Sequence, residues 1–135
     1  MQTIGLIGGM SWESSAHYYR LINQGVRDRL GDSHSAKSVM VSVDFAEIDR
    51  LQHDGDWAAL GAAMAEAARA TARAGADFLI LCTNTMHKLA PEIEAAVDIP
   101  LLHIVDPAAA AIRARGMTRV GLIGTAFTMA QDFYR

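Results

Sequence analysis

The 135-residue chain is long enough for one domain with a sizeable core, and about half of its residues are hydrophobic (51%). A net charge of −3 with no basic block argues against a nucleic-acid footprint or an anionic-membrane patch. One cysteine excludes an intrachain disulfide, and the start lacks the basic and apolar regions of a signal peptide, so a cytoplasmic protein is expected.

Apolar runs and amphipathic stretches alternate along the chain. Ile4 to Ile7 reads as a buried strand ending in Gly8-Gly9, and Ser11 as the cap of a helix presenting Tyr18, Ile22, Val26 and Leu30 on one face. Val39 to Val43 reads as a second strand closed by Asp44. A short helix over Phe45 to Leu51 follows, then a longer one capped by Asp56, with Trp57, Leu60, Met64 and Thr71 at helical spacing and Trp57 and Met64 in the core. Gly75 ends it, and Phe78 to Leu81 forms a third strand leading into Cys82. Thr85 to Val97 reads as helix, with Pro91 suited to a first turn. Leu101 to Val105 is a fourth strand, and Asp106-Pro107 caps an alanine-rich helix stopped by Gly116. Val120 to Ile123 is a fifth strand, before a helix start at Thr128. This alternation predicts an α/β three-layer (αβα) domain with a mostly parallel sheet.

The run Ile4-Gly5-Leu6-Ile7-Gly8 returns as Val120-Gly121-Leu122-Ile123-Gly124, where a second copy of the domain could begin.

In open parallel sheets ligands bind outside the carboxyl ends of the strands. The most informative loop there is Cys82-Thr83-Asn84-Thr85, a thiol followed by two hydroxyls and an amide at a helix start. Amides at a helix start favour a substrate carboxylate over Thr83 to Thr85, and the same field favours a thiolate at Cys82. Helix-end stabilisation of at most ~2 kcal/mol would bring the thiol from its usual ~8.5 to about 7, leaving thiol and thiolate in roughly equal populations near pH 7, poised to take and return a proton. The blander reading makes Cys82 a small buried hydrophobe.

A dinucleotide loop at Gly5 to Met10, with Asp44 as ribose ligand, fits poorly: the spacing is G-x-x-G-G and the acid comes late. His17, His34, His53, His87 and His103 show no metal-ligand spacing, so solvated or helix-surface roles are expected for all five and no metal site is assigned.

Together, Ile4 to Ser14, His34-Ser35-Ala36-Lys37, Ser42-Val43-Asp44-Phe45, Leu81 to Lys88, Gly116 to Val120 and Thr128 to Arg135 resemble the aspartate/glutamate racemase family. Cys82-Thr83-Asn84-Thr85-Met86 is the most specific of these segments. The resemblance implies a pseudo-twofold, two-domain amino-acid racemase that uses neither pyridoxal phosphate nor a metal. One cysteine from each domain exchanges the α-proton on opposite faces of the substrate. Cys82 is then the first acid/base, Thr83, Asn84 and Thr85 hold the substrate carboxylate, Met10 lines the pocket and Gln52 is a weaker substrate contact.

On this reading residues 1–116 form the first lobe and 117–135 the start of a second lobe cut short before its own cysteine. The chain alone is then expected to be inactive, with a homodimer as one route to a second thiol. The partner expected is a small-molecule amino acid, with neither nucleic acid nor membrane. The rival from another class is a module that binds a small carboxylate without chemistry.

Overall fold

The computed structural model describes residues 1–130. Its centre is a three-stranded parallel sheet. Strand β1 (Ile4–Gly8) lies between β2 (Ser38–Ser42) and β3 (Phe78–Leu81), with Leu6 opposite Met40 on one side and Ile80 on the other. β1 is the most buried strand because both its edges are paired and both its faces are covered.

Helix α1 (Trp12–Leu30) connects β1 to β2 across one face. The opposite face carries α2 (Phe45–Asp54), α3 (Trp57–Arg73) and α4 (Ala90–Ala95). Helix α3 buries Leu60, Met64, Ala67, Ala68 and Thr71 along one stripe. Its alanines let the helix approach the sheet closely. A Cβ on Gly5 would lie 2.6 Å from Thr71 Cγ2 and 2.8 Å from Leu79 Cδ2, so the central strand needs glycine there. Ile7, Leu79 and Leu81 from the sheet, Ile48 and Leu51 from α2, and Ile93 from α4 complete this core. The three-layer α/β architecture is as expected. Its two outer layers are unequal, since α1 fully buries Ser15 alone and leaves Tyr18, Ile22 and Val26 half-buried and Leu30 exposed.

Several local expectations are corrected. Leu101 to Val105 is not a strand. Leu101 makes one parallel bridge to Leu79, and helix α5 (Val105–Ala114) starts at once. The amides of Ile104 and Val105 point to His87 Nε2 (3.2 Å) and His103 Nδ1 (3.3 Å), so turn contacts take the donors that a ladder would need. Asp106 therefore lies within the first turn of α5 rather than at its cap.

Val120 to Ile123 also forms no strand. Val120 is 58% and Ile123 94% exposed, because Leu101 already occupies the outer side of β3 and no further strand stands beside them among the described residues. A last short helix, α6, covers Ala126–Ala130.

Thr85 to Val97 divides into a 3-10 turn (Thr85–Leu89) and α4. Pro91 has no N–H to continue an α-helical ladder across the junction. Ser11 makes no side-chain cap. The Ser15 hydroxyl instead ties the loop before α1 to the helix, accepting from the Gly9 N–H (2.9 Å) and donating to the Ser11 carbonyl (3.2 Å). Asp44 and Asp56 do cap, accepting from the N–H groups of Ala46 (3.1 Å) and Ala59 (3.0 Å). Met64 is fully buried, whereas Trp57 is half-buried at the core's rim beneath the Lys88 ammonium.

Candidate active site

At the carboxyl ends of the strands lies a cavity of about 560 Å³. Met10 enters it from the loop after β1, Gln52 from α2, and Thr83, Asn84 and Thr85 from the loop after β3. Residues expected from three separated segments therefore line one space.

Each wall has a local cause. Ile48 and Leu51 anchor α2 in the core. Phe45, Asp49 and Gln52, spaced i, i+4, i+7, then form a second stripe along the cavity. The Cys82 N–H donates to the Ile7 carbonyl (2.8 Å), which ties the start of the third loop to the central strand. Thr85 is buried, and its hydroxyl pairs with that of buried Thr128 (3.0 Å). Thr128 in turn contacts the Thr125 hydroxyl (3.2 Å), so residues 122–128 close one side of the cavity.

Cys82 adjoins this space without lining it. The residue is fully buried, and burial pushes its thiol up to about 12. The expectation of a half-ionised thiol is thus overturned. The element after Cys82 is a five-residue 3-10 turn beginning three positions later, and its end field does not offset the loss of water. At rest Cys82 is a thiol.

His87 corrects a second expectation, since it is neither solvated nor on a helix surface. It is 1% exposed, with Nδ1 3.2 Å from the Asn84 carbonyl and Nε2 accepting from the Ile104 N–H. Burial, and then the neighbouring His103, lower it to about 4. A neutral ring with its proton on Nδ1 satisfies both neighbours, so His87 is a strut that fixes the carbonyl side of the Asn84 turn.

No group of three His, Cys, Asp or Glu among the described residues is placed to hold a metal ion. The dinucleotide reading loses its parts as well: the Gly9 N–H is bound to Ser15 and the Asp44 carboxylate caps α2.

A family model described as Asp/Glu/Hydantoin racemase matches residues 7–135. The chain belongs to this racemase family. A candidate Asp/Glu racemase from Yersinia pestis is 52% identical and superposes with a TM-score of 0.95, over all of this chain and 59% of that one. An aspartate racemase homologue from Pyrococcus horikoshii is 32% identical with a TM-score of 0.88, over 99% of this chain and 58% of that one. A glutamate racemase from Streptococcus pyogenes is 44% identical over 59 residues, which are 42% of this chain and 22% of that protein. The chain thus spans under two thirds of these racemase-family relatives. No helix among the described residues is long and apolar enough to cross a membrane.

Sequence reasoning placed the Asp44-Phe45 loop at this end of the sheet and Met86 in the signature segment, but missed Asp49 and the 122–128 wall. Asp49 carried a readable signal, because it shares the helical stripe of Gln52. The wall carried none, and its first two residues, Leu122 and Ile123, were expected in a strand.

Proposed function

We propose that this chain forms one lobe of an amino-acid racemase of the aspartate/glutamate type, in which Cys82 is one of two acid/base groups acting at Cα. The observation that supports this most is the single cavity joining Met10, Gln52, Thr83, Asn84 and Thr85 beside Cys82. In this reading the hydroxyls of Thr83 and Thr85 and the Asn84 amide hold the substrate carboxylate. That orientation turns Cα–H toward the thiol's side of the cavity. Removing the α-proton requires a thiolate, and the proton then resides on Sγ while a second acid delivers one to the opposite face. Neither pyridoxal phosphate nor a metal takes part.

With burial holding the thiol up at about 12, Cys82 rests as the thiol at pH 7. The resting form therefore suits the donor half of the cycle. A substrate ammonium in the adjoining cavity works against burial and favours the thiolate, so the base is generated when substrate binds. The second base belongs to a further lobe or a second copy of the chain, and the protein acts in the cytoplasm.

Burial of Cys82 also favours one rival, a lobe that holds a small carboxylate and does no chemistry. Solvent exchange separates them. L-aspartate or L-glutamate is incubated with the 135-residue protein in deuterium oxide, and loss of the α-proton signal is followed by NMR. Faster exchange with wild type than with Cys82→Ala, without chiral inversion, is expected. Equal exchange with both proteins would leave the binding lobe as the correct reading.

A further inference from the structure

An amino acid carries a cation beside its carboxylate, and the cavity walls divide unevenly between the two. Thr83, Asn84 and Thr85 offer neutral polar groups on one side. Among the described lining residues only Asp49 is ionisable. It sits on α2 one turn after Phe45 and one before Gln52, so the stripe that faces the cavity carries a carboxylate at its middle. The neighbouring cation does not share that face: exposed Arg50 is bound to exposed Asp54 at 3.2 Å. α2 therefore presents its anion to the cavity and holds its guanidinium in solvent.

The carboxylate has capacity to spare. His53 Nδ1 lies 3.3 Å from Asp49 Oδ1, but the same nitrogen is closer, at 2.9 Å, to the Asp49 carbonyl. A carboxylate offers about four acceptor positions, and one distant ring nitrogen fills at most one. We infer that Asp49 receives the α-ammonium group of the amino acid whose carboxylate is held by Thr83, Asn84 and Thr85. The assignment rests on the carboxylate site proposed above and adds its opposite pole. It makes the cavity select amino acids over the corresponding hydroxy acids.

The probes are L-aspartate and L-malate, which differ in an ammonium against a hydroxyl. Binding of each to the 135-residue protein is titrated by amide chemical shifts. Wild type should prefer L-aspartate about three- to tenfold, the range for a charge-assisted hydrogen bond at a half-exposed carboxylate. Asp49→Asn should abolish that preference, and Asp49→Glu, which keeps the charge, should retain most of it. The same preference in wild type and Asp49→Asn would overturn the role of Asp49 while leaving the carboxylate site intact. Failure of both ligands to bind wild type would overturn the carboxylate site, and this inference with it.

Discussion

Acidification should strike the protein first at His87. The folded state binds this ring as a neutral acceptor of the Ile104 N–H, whereas the unfolded chain lets it protonate near 6.5. With the folded value lowered to about 4, the unfolded state takes up more protons throughout the interval between. The stability due to His87 is therefore fully present above about pH 6.5 and is lost as the pH falls toward 4. The size of the loss is roughly 3 kcal/mol, a large part of the ~5–15 kcal/mol typical of a domain. Carboxylates also titrate in this range, so the comparison must be with His87→Gln, which removes the ring's titration. Urea unfolding at pH 7.5, 6 and 4 should show wild type losing roughly 3 kcal/mol more than the variant. Parallel losses in the two proteins, or a His87 ring that titrates near 6.5 by NMR, would refute the account of this residue as a buried neutral strut.

Gly5→Ala should destabilise the sheet by about 1–3 kcal/mol, because the new methyl meets Thr71, Ala76 and Leu79 at once and those neighbours are themselves buried. Thermal and urea denaturation measure it, and an unchanged midpoint would contradict the close approach of α3 to β1. Thr128→Val removes the partner of the Thr85 hydroxyl and should cost about 1–3 kcal/mol locally. Amide exchange should then quicken over residues 125–130 more than over β1, and uniform quickening would mean the bond supports the whole fold instead of one wall.

The sheet was readable from the sequence because its strands are short β-branched or leucine-rich runs followed by punctuation: Gly8-Gly9 after β1 and Asp44 after β2. The cavity was readable for a related reason. Parallel strands end on one side, so the loops after β1 and β3 had to meet there, and Met10 and the Thr83 to Thr85 segment do; Gln52, on α2, came from the family resemblance alone. Leu101 to Val105 misled because an apolar run records burial, not pairing. Only the contacts of His87 and His103 with the turn reveal where the amides go. Val120 to Ile123 misled in a similar way, as strand composition does not provide a neighbouring strand. Cys82 shows the limit for chemistry. Its polar sequel reads as activation, yet ionisation follows from how much water remains, and that depends on residues packed from elsewhere in the chain.

The complete enclosure of Cys82 has a practical side. The chain has one thiol, and solvent does not reach it, so the protein is close to silent toward maleimide dyes and spin labels. A reporter cysteine placed on the outside could then be labelled without first removing the native one. Ile123, 94% exposed and yet part of the cavity wall, is a suitable position. A probe there, paired with a second at exposed Phe45 on the α2 wall of the same cavity, would report changes in the separation of the two walls as ligands enter and leave.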